Sequence, residues 1–189
     1  MPGQRIGSLI AAVFGLIYVL VNAGPLPPAW TLTLRVLAAV AFGAVLVTVL
    51  VAVLGSSVSA REPRGHDRRV FGRGYWLVVA AEFIALFVGV RVLSGPLDAP
   101  EAGVAWVSLV VGVHFFALAV VFSQRFFHGL GAAITACGVI GLVLAATGAG
   151  EPTIALVAGV LPGAVLLGFA WWGVRWAQPT TKQQESVTS

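Results

Sequence analysis

Charge is scarce in this chain of 189 residues: Asp, Glu, Lys and Arg together make up 10% of it, against roughly 25% in an ordinary soluble domain. That is too few ionic groups to coat a water-exposed surface, so a soluble globular protein is excluded. Cysteine is nearly absent. Cys137 stands alone, which excludes an intrachain disulfide and any multi-cysteine metal or iron–sulfur centre. Histidine numbers three, and only His114 lies well inside an apolar run. A bis-histidine haem with ligands on facing spans is therefore excluded too. Recognisable hydrolase signatures are missing: there is no G-x-S-x-G elbow, no H-E-x-x-H and no pair of aspartates at mid-span. Phosphate cradles of the Walker or G-x-G-x-x-G type are missing as well. No cofactor is implied.

What fills the chain is apolar residue, 59% of the total, with a mean hydropathy of +0.98. Intrinsic disorder needs the reverse, low hydrophobicity with high net charge. The solvent is lipid. Each helical span needs about 20 apolar residues, and suitable runs lie at about 6–23, 30–55, 74–94, 102–122, 129–149 and 152–177. The expectation is an all-α membrane protein, a polytopic bundle of six transmembrane helices forming a single domain over 1–177, with a short disordered tail over 178–189. No room is left for a domain outside the bilayer. Between the runs lie turn formers: Asn22 to Pro25 with Pro27 and Pro28, Ser94-Gly95-Pro96, and Gly148 to Pro152.

Basic residues in short loops stay cytoplasmic. Arg61, Arg64, Arg68, Arg69 and Arg73 crowd the loop between the second and third runs, and Arg5, Arg125, Arg175 and Lys182 fall on the same side. The opposite loops carry Asp98, Glu101 and Glu151. Both termini are thus expected in the cytoplasm, with the chain as a multi-pass protein of a bacterial-type inner (plasma) membrane. Tryptophans agree: Trp30 and Trp106 lie near outer ends, and Trp76, Trp171, Trp172 and Trp176 near inner ends. A competing reading takes the first run as a signal peptide cut after Ala23. The first and last three runs show no internal repeat, so visible symmetry does not point to an inverted-repeat transporter.

An ionisable residue inside a bilayer is costly and marks a functional candidate. Glu82 and His114 each lie eight residues from the inner end of their runs, at a depth of about 12 Å. Runs three and four are joined by a short loop and are expected to pack antiparallel, so the two side chains are expected level with one another, as a proton relay or a polar pair in the core. A carboxyl and an imidazole in contact share a proton either as an ion pair or as two neutral groups, and hydration decides between them. The structural alternative is one interhelical hydrogen bond. Arg35 and Arg91, just inside their runs, form an outer-face charge cluster with Asp98, Glu101 and Glu151. They serve as interface anchors or as a site for an anionic group. The loop arginines at 61, 64, 68, 69 and 73 are candidates for anionic-lipid or phosphate contact, or act by setting topology alone. In the sixth run Pro162 removes a backbone hydrogen bond and kinks the helix, while Gly159 and Gly163 let a neighbour approach. The fifth run, with Gly131, Ala132, Thr135, Ala136, Gly138 and Gly141, is expected to be the tightly packed central helix.

These residues suggest a small proton-linked transporter or permease-like protein built on Glu82 and His114. The alternative is a non-catalytic scaffold or accessory subunit that binds a partner or anionic lipids through the basic loop. Expected partners are a bilayer with anionic headgroups and either a second copy or another membrane protein. Nucleic acid is not expected, because the arginines sit where headgroups are nearer.

Overall fold

The computed structural model describes residues 2–56, 73–121 and 126–176. Among them every regular element is helical: α1 (Pro2–Asn22), α2 (Pro28–Ser56), α3 (Arg73–Ser94), α4 (Ala102–Val121), α5 (Phe126–Ala146), α6 (Glu151–Ala155), a π-helical turn (Leu156–Val160) and α7 (Leu161–Trp176). Five of these stretches are long and apolar enough to cross a bilayer, with α6, the π turn and α7 counting as one. In α1 the apolar part, Gly7–Asn22, is shorter. Lipid as solvent accounts for the surface. Leu77 and Val120 are 70% and 73% exposed, which water would penalise and hydrocarbon does not.

Local chemistry sets the ends. Prolines at 27 and 28 open α2 where the missing N–H costs nothing, and the Thr31 hydroxyl reaches back to the Ala23 carbonyl at 2.8 Å, closing the α1–α2 turn. Gly148, with φ of 75°, ends α5. There the Ala149 N–H returns to Leu144 and the Gly148 N–H to Ala145, the paired closure that a left-handed residue permits.

Close approaches give the helix directions. Gly138 meets Leu109, Gly141 meets Ala105, and Gly131 meets Gly112; one number rises as the other falls, so α4 and α5 are antiparallel. By the same token Gly163 lies on Gly15 and Gly173 on Ser8, making α1 and α7 antiparallel. Neighbouring helices pack as α3 on α4, α4 on α5 and on the α6–π segment, α5 on the α6–α7 rod, that rod on α1, and α2 on both α1 and α7. Between α1, α2 and α7 an apolar cavity of about 470 Å³ is lined by Val19, Leu34, Ala38, Ala41, Leu167 and Trp171.

Two features were not anticipated from the sequence. The most buried helix is the sixth span, 56% of whose apolar window lies inside the protein against 28% for α5. In α5 the glycines face α4, but Ala132 and Ala136 lie on the exposed side. The sixth span is also not a simple kinked helix. Its backbone widens over Leu156–Val160, where the Leu161 N–H bonds to the Leu156 carbonyl five residues back. A proline at 162 has no N–H for the carbonyl four residues earlier, Ala158. That carbonyl accepts a hydrogen bond from the Ser108 hydroxyl of α4 instead.

Candidate functional site between α3 and α4

Among the described residues α3 packs chiefly on α4. Along α3, Glu82, Ala85 and Gly89 recur at helical spacing on one face. Gly89 leaves a notch that the Trp106 indole of α4 fills, and a Cβ at 89 would overlap that ring. The indole N–H donates to the Ala85 carbonyl at 3.0 Å. This contact locks the register of the two helices two turns away from Glu82. Eight residues after Trp106, α4 presents His114.

The register brings His114 Nδ1 to 3.1 Å from Glu82 Oε2, with side chains only 12% and 18% exposed. The distance is that of an ion pair, yet the ring nitrogen is not aligned with the carboxylate for a hydrogen bond. Electrostatic attraction survives such misalignment, whereas a hydrogen bond weakens steeply with it. Among the described residues this is the sole side-chain ion pair. The Phe115 ring meets the imidazole edge-on, 6.1 Å between centres. An acid and a base in contact, each largely withdrawn from the surroundings, can hold or pass one proton.

The other sequence candidates are placed apart. Arg35 is exposed, its guanidinium close to Gly24 in the α1–α2 turn, the posture of a side chain reaching for a bilayer surface. Arg91 lies over the Phe87 ring at 5.1 Å, a cation–π contact. Neither pairs with Asp98, Glu101 or Glu151, so these five residues form no joined cluster. Gly159 lies against Asn22, and Gly163 against Gly15, Val19 and Tyr18; both seat the last span on α1. Arg61, Arg64, Arg68 and Arg69, and the tail over 178–189, fall outside the described residues, and Arg73 is described only as the first residue of α3. Among the described residues no group of three His, Cys, Asp or Glu could hold a metal ion.

Two polar residues near the pair were not singled out by sequence. Ser108 is fully buried and Tyr18 is 9% exposed; the Tyr18 hydroxyl faces Ser108 and lies within electrostatic reach of Glu82. Neither carries charge, and a serine or tyrosine within an apolar run is common enough to pass unnoticed. The signal that could have found them is depth. Compared with known proteins, the chain matches no family model, no curated protein and no solved structure.

Proposed function

We propose that this multi-pass membrane protein is a small proton-linked transporter or permease-like protein in which Glu82 and His114 exchange a proton. In this reading α1 counts as a sixth span, the arginine-rich loop and both termini lie in the cytoplasm, and the membrane is the plasma membrane. The observation that carries the reading is the 3.1 Å approach of Glu82 and His114, side by side and mostly buried within apolar helices. An acid–base pair at such depth costs several kcal/mol to insert by insertion scales, about 2.5–3.5 for a single charged group at mid-span. The interhelical hydrogen bond that a purely structural contact would gain returns about 0.6 kcal/mol on average, less than that cost.

The test is infrared difference spectroscopy on protein in nanodiscs, comparing wild type with Glu82→Gln while pH is stepped between about 5 and 8, the range in which imidazole chemistry operates. The expected result is a carboxyl band, absent from Glu82→Gln, that changes together with a His114 ring mode. A Glu82 band that holds one form throughout would falsify the proton-linked reading.

A second reading is favoured by α3. Its face away from α4 is apolar and open, with Phe83 68% and Phe87 65% exposed, as a helix would be that docks on a membrane partner or a second copy. In that accessory role Glu82→Gln alters stability alone, and replacing the arginines at 61, 64, 68, 69 and 73 weakens retention on anionic lipid.

A further inference from the structure

Buried polar groups are almost always paired, with protein or with ordered water. Three buried atoms among the described residues find no hydrogen-bond partner in the protein: the Tyr18 hydroxyl, His114 Nδ1 and Thr135 Oγ1. Thr135 belongs to a separate place, set against the Gly112 backbone in the α4–α5 seam. The other two share a side of α4. Tyr18 belongs to a core cluster with Leu130, Ile134 and Leu166 against which Val107 and Val111 pack, and positions 107, 111 and 114 form one helical stripe. His114 stands at the end of that stripe, with Glu82 beside it.

Donors and acceptors between them are complementary. The Ser108 proton is committed to the Ala158 carbonyl, so its oxygen keeps lone pairs free to accept. The Tyr18 hydroxyl, facing it, both donates and accepts. Ser108 and His114 are six residues apart, about 9 Å along the helix axis. That separation, with a third of a turn around the axis between the two residues, exceeds one hydrogen bond of about 2.8 Å and has to be bridged by way of Tyr18. Serving a ring nitrogen that meets Glu82 only in a misaligned ion pair, and a phenol without an aligned partner, is what a buried water does, given two to four polar partners.

We propose that ordered water occupies the space between Tyr18, Ser108 and the Glu82–His114 pair, held by the Tyr18 hydroxyl and joining the pair to the bulged helix at Ala158. Its use as a proton route rests on the proton-linked reading of the pair; the hydration itself does not. The route leads from α3–α4 inward to α1 and the π turn, away from the lipid-facing side of α3.

Water-edited solid-state NMR on protein carrying labelled tyrosine and histidine in lipid nanodiscs tests this. With two tyrosines and three histidines in the chain, Tyr18→Phe, Tyr75→Phe and His114→Gln assign the signals. Magnetisation is expected to pass from water to both Tyr18 and His114. In Tyr18→Phe, which keeps the ring and its packing, the His114 transfer is lost, while Tyr75→Phe leaves it in place. Dry signals at Tyr18 and His114, or a His114 transfer unchanged by Tyr18→Phe, overturn the proposal. Dry signals together with an exchanging Glu82 would remove the water and leave the proton-linked reading standing. Wet signals with an inert Glu82 would remove that reading and leave the water.

Discussion

Ser108 donates its hydroxyl proton across helices to Ala158, a carbonyl that Pro162 cannot serve. Removing the hydroxyl leaves a buried acceptor unpaired, a loss of about 1–3 kcal/mol by mutational series. Ser108→Ala is therefore expected to lower stability by that order in reversible unfolding from mixed micelles. Ser94→Ala is the control: that hydroxyl bonds its own helix at Val90, in an exposed position, and the change should stay within about 0.5 kcal/mol. Equal effects at the two serines would show that the interhelical bond contributes nothing. At this scale the sequence was legible where charge made it so. Glu82 and His114 stand out because an ionisable group in an apolar run is rare, and equal depth follows from counting. Tyr18 and Ser108 did not stand out, because their importance lies in what they face across a helix gap, and linear order does not carry that.

Between elements, glycine sets how near the backbones come. A Cβ on Gly138 would lie 2.7 Å from the Leu109 Cα, and backbone cannot swing aside as a side-chain tip does. Gly138→Val is expected to force α4 from α5 and cost at least about 1–3 kcal/mol, the usual range for overpacking. Gly43, in the middle of α2, has open space around its Cα. Gly43→Ala should be neutral or gain roughly 0.5–1 kcal/mol from helix propensity. Unfolding midpoints of the two variants, measured side by side, check both signs. The existence and rough limits of the spans could be read from apolar run length, and the turns from Gly and Pro. The π turn could not. Pro162 announces a break in hydrogen bonding, but the donor that takes up the freed Ala158 carbonyl comes from α4, fifty positions away along the chain. Which helix would be most buried was also hidden, since spans that are apolar all round carry little periodic signal to separate a lipid face from a packed one.

For the whole molecule, α1 runs antiparallel to α7, as α3 does to α4 and α4 to α5, and arginine placement proposes which end is cytoplasmic. In a Cys137→Ser background, Asp98→Cys and Glu151→Cys are expected to react with an impermeant maleimide applied to intact cells. Ser186→Cys should react only after permeabilisation. Reversed labelling would invert the topology.

The seam between α1 and the last span joins segments near opposite ends of the described chain, Ser8 to Gly173 in α7 and Asn22 to Gly159 in the π turn. During synthesis the first of these helices emerges long before its partner. Until the last span arrives, the groove of α1 around Gly15, which Gly163 and Leu167 fill, lacks its partner, and α1 packs on α2 alone. Assembly of this seam thus waits for its latest element, and a chain cut short before Leu161 loses the α7 side of it, leaving α1 its contacts with α2 and the π turn. Such a product is a natural target for membrane quality control.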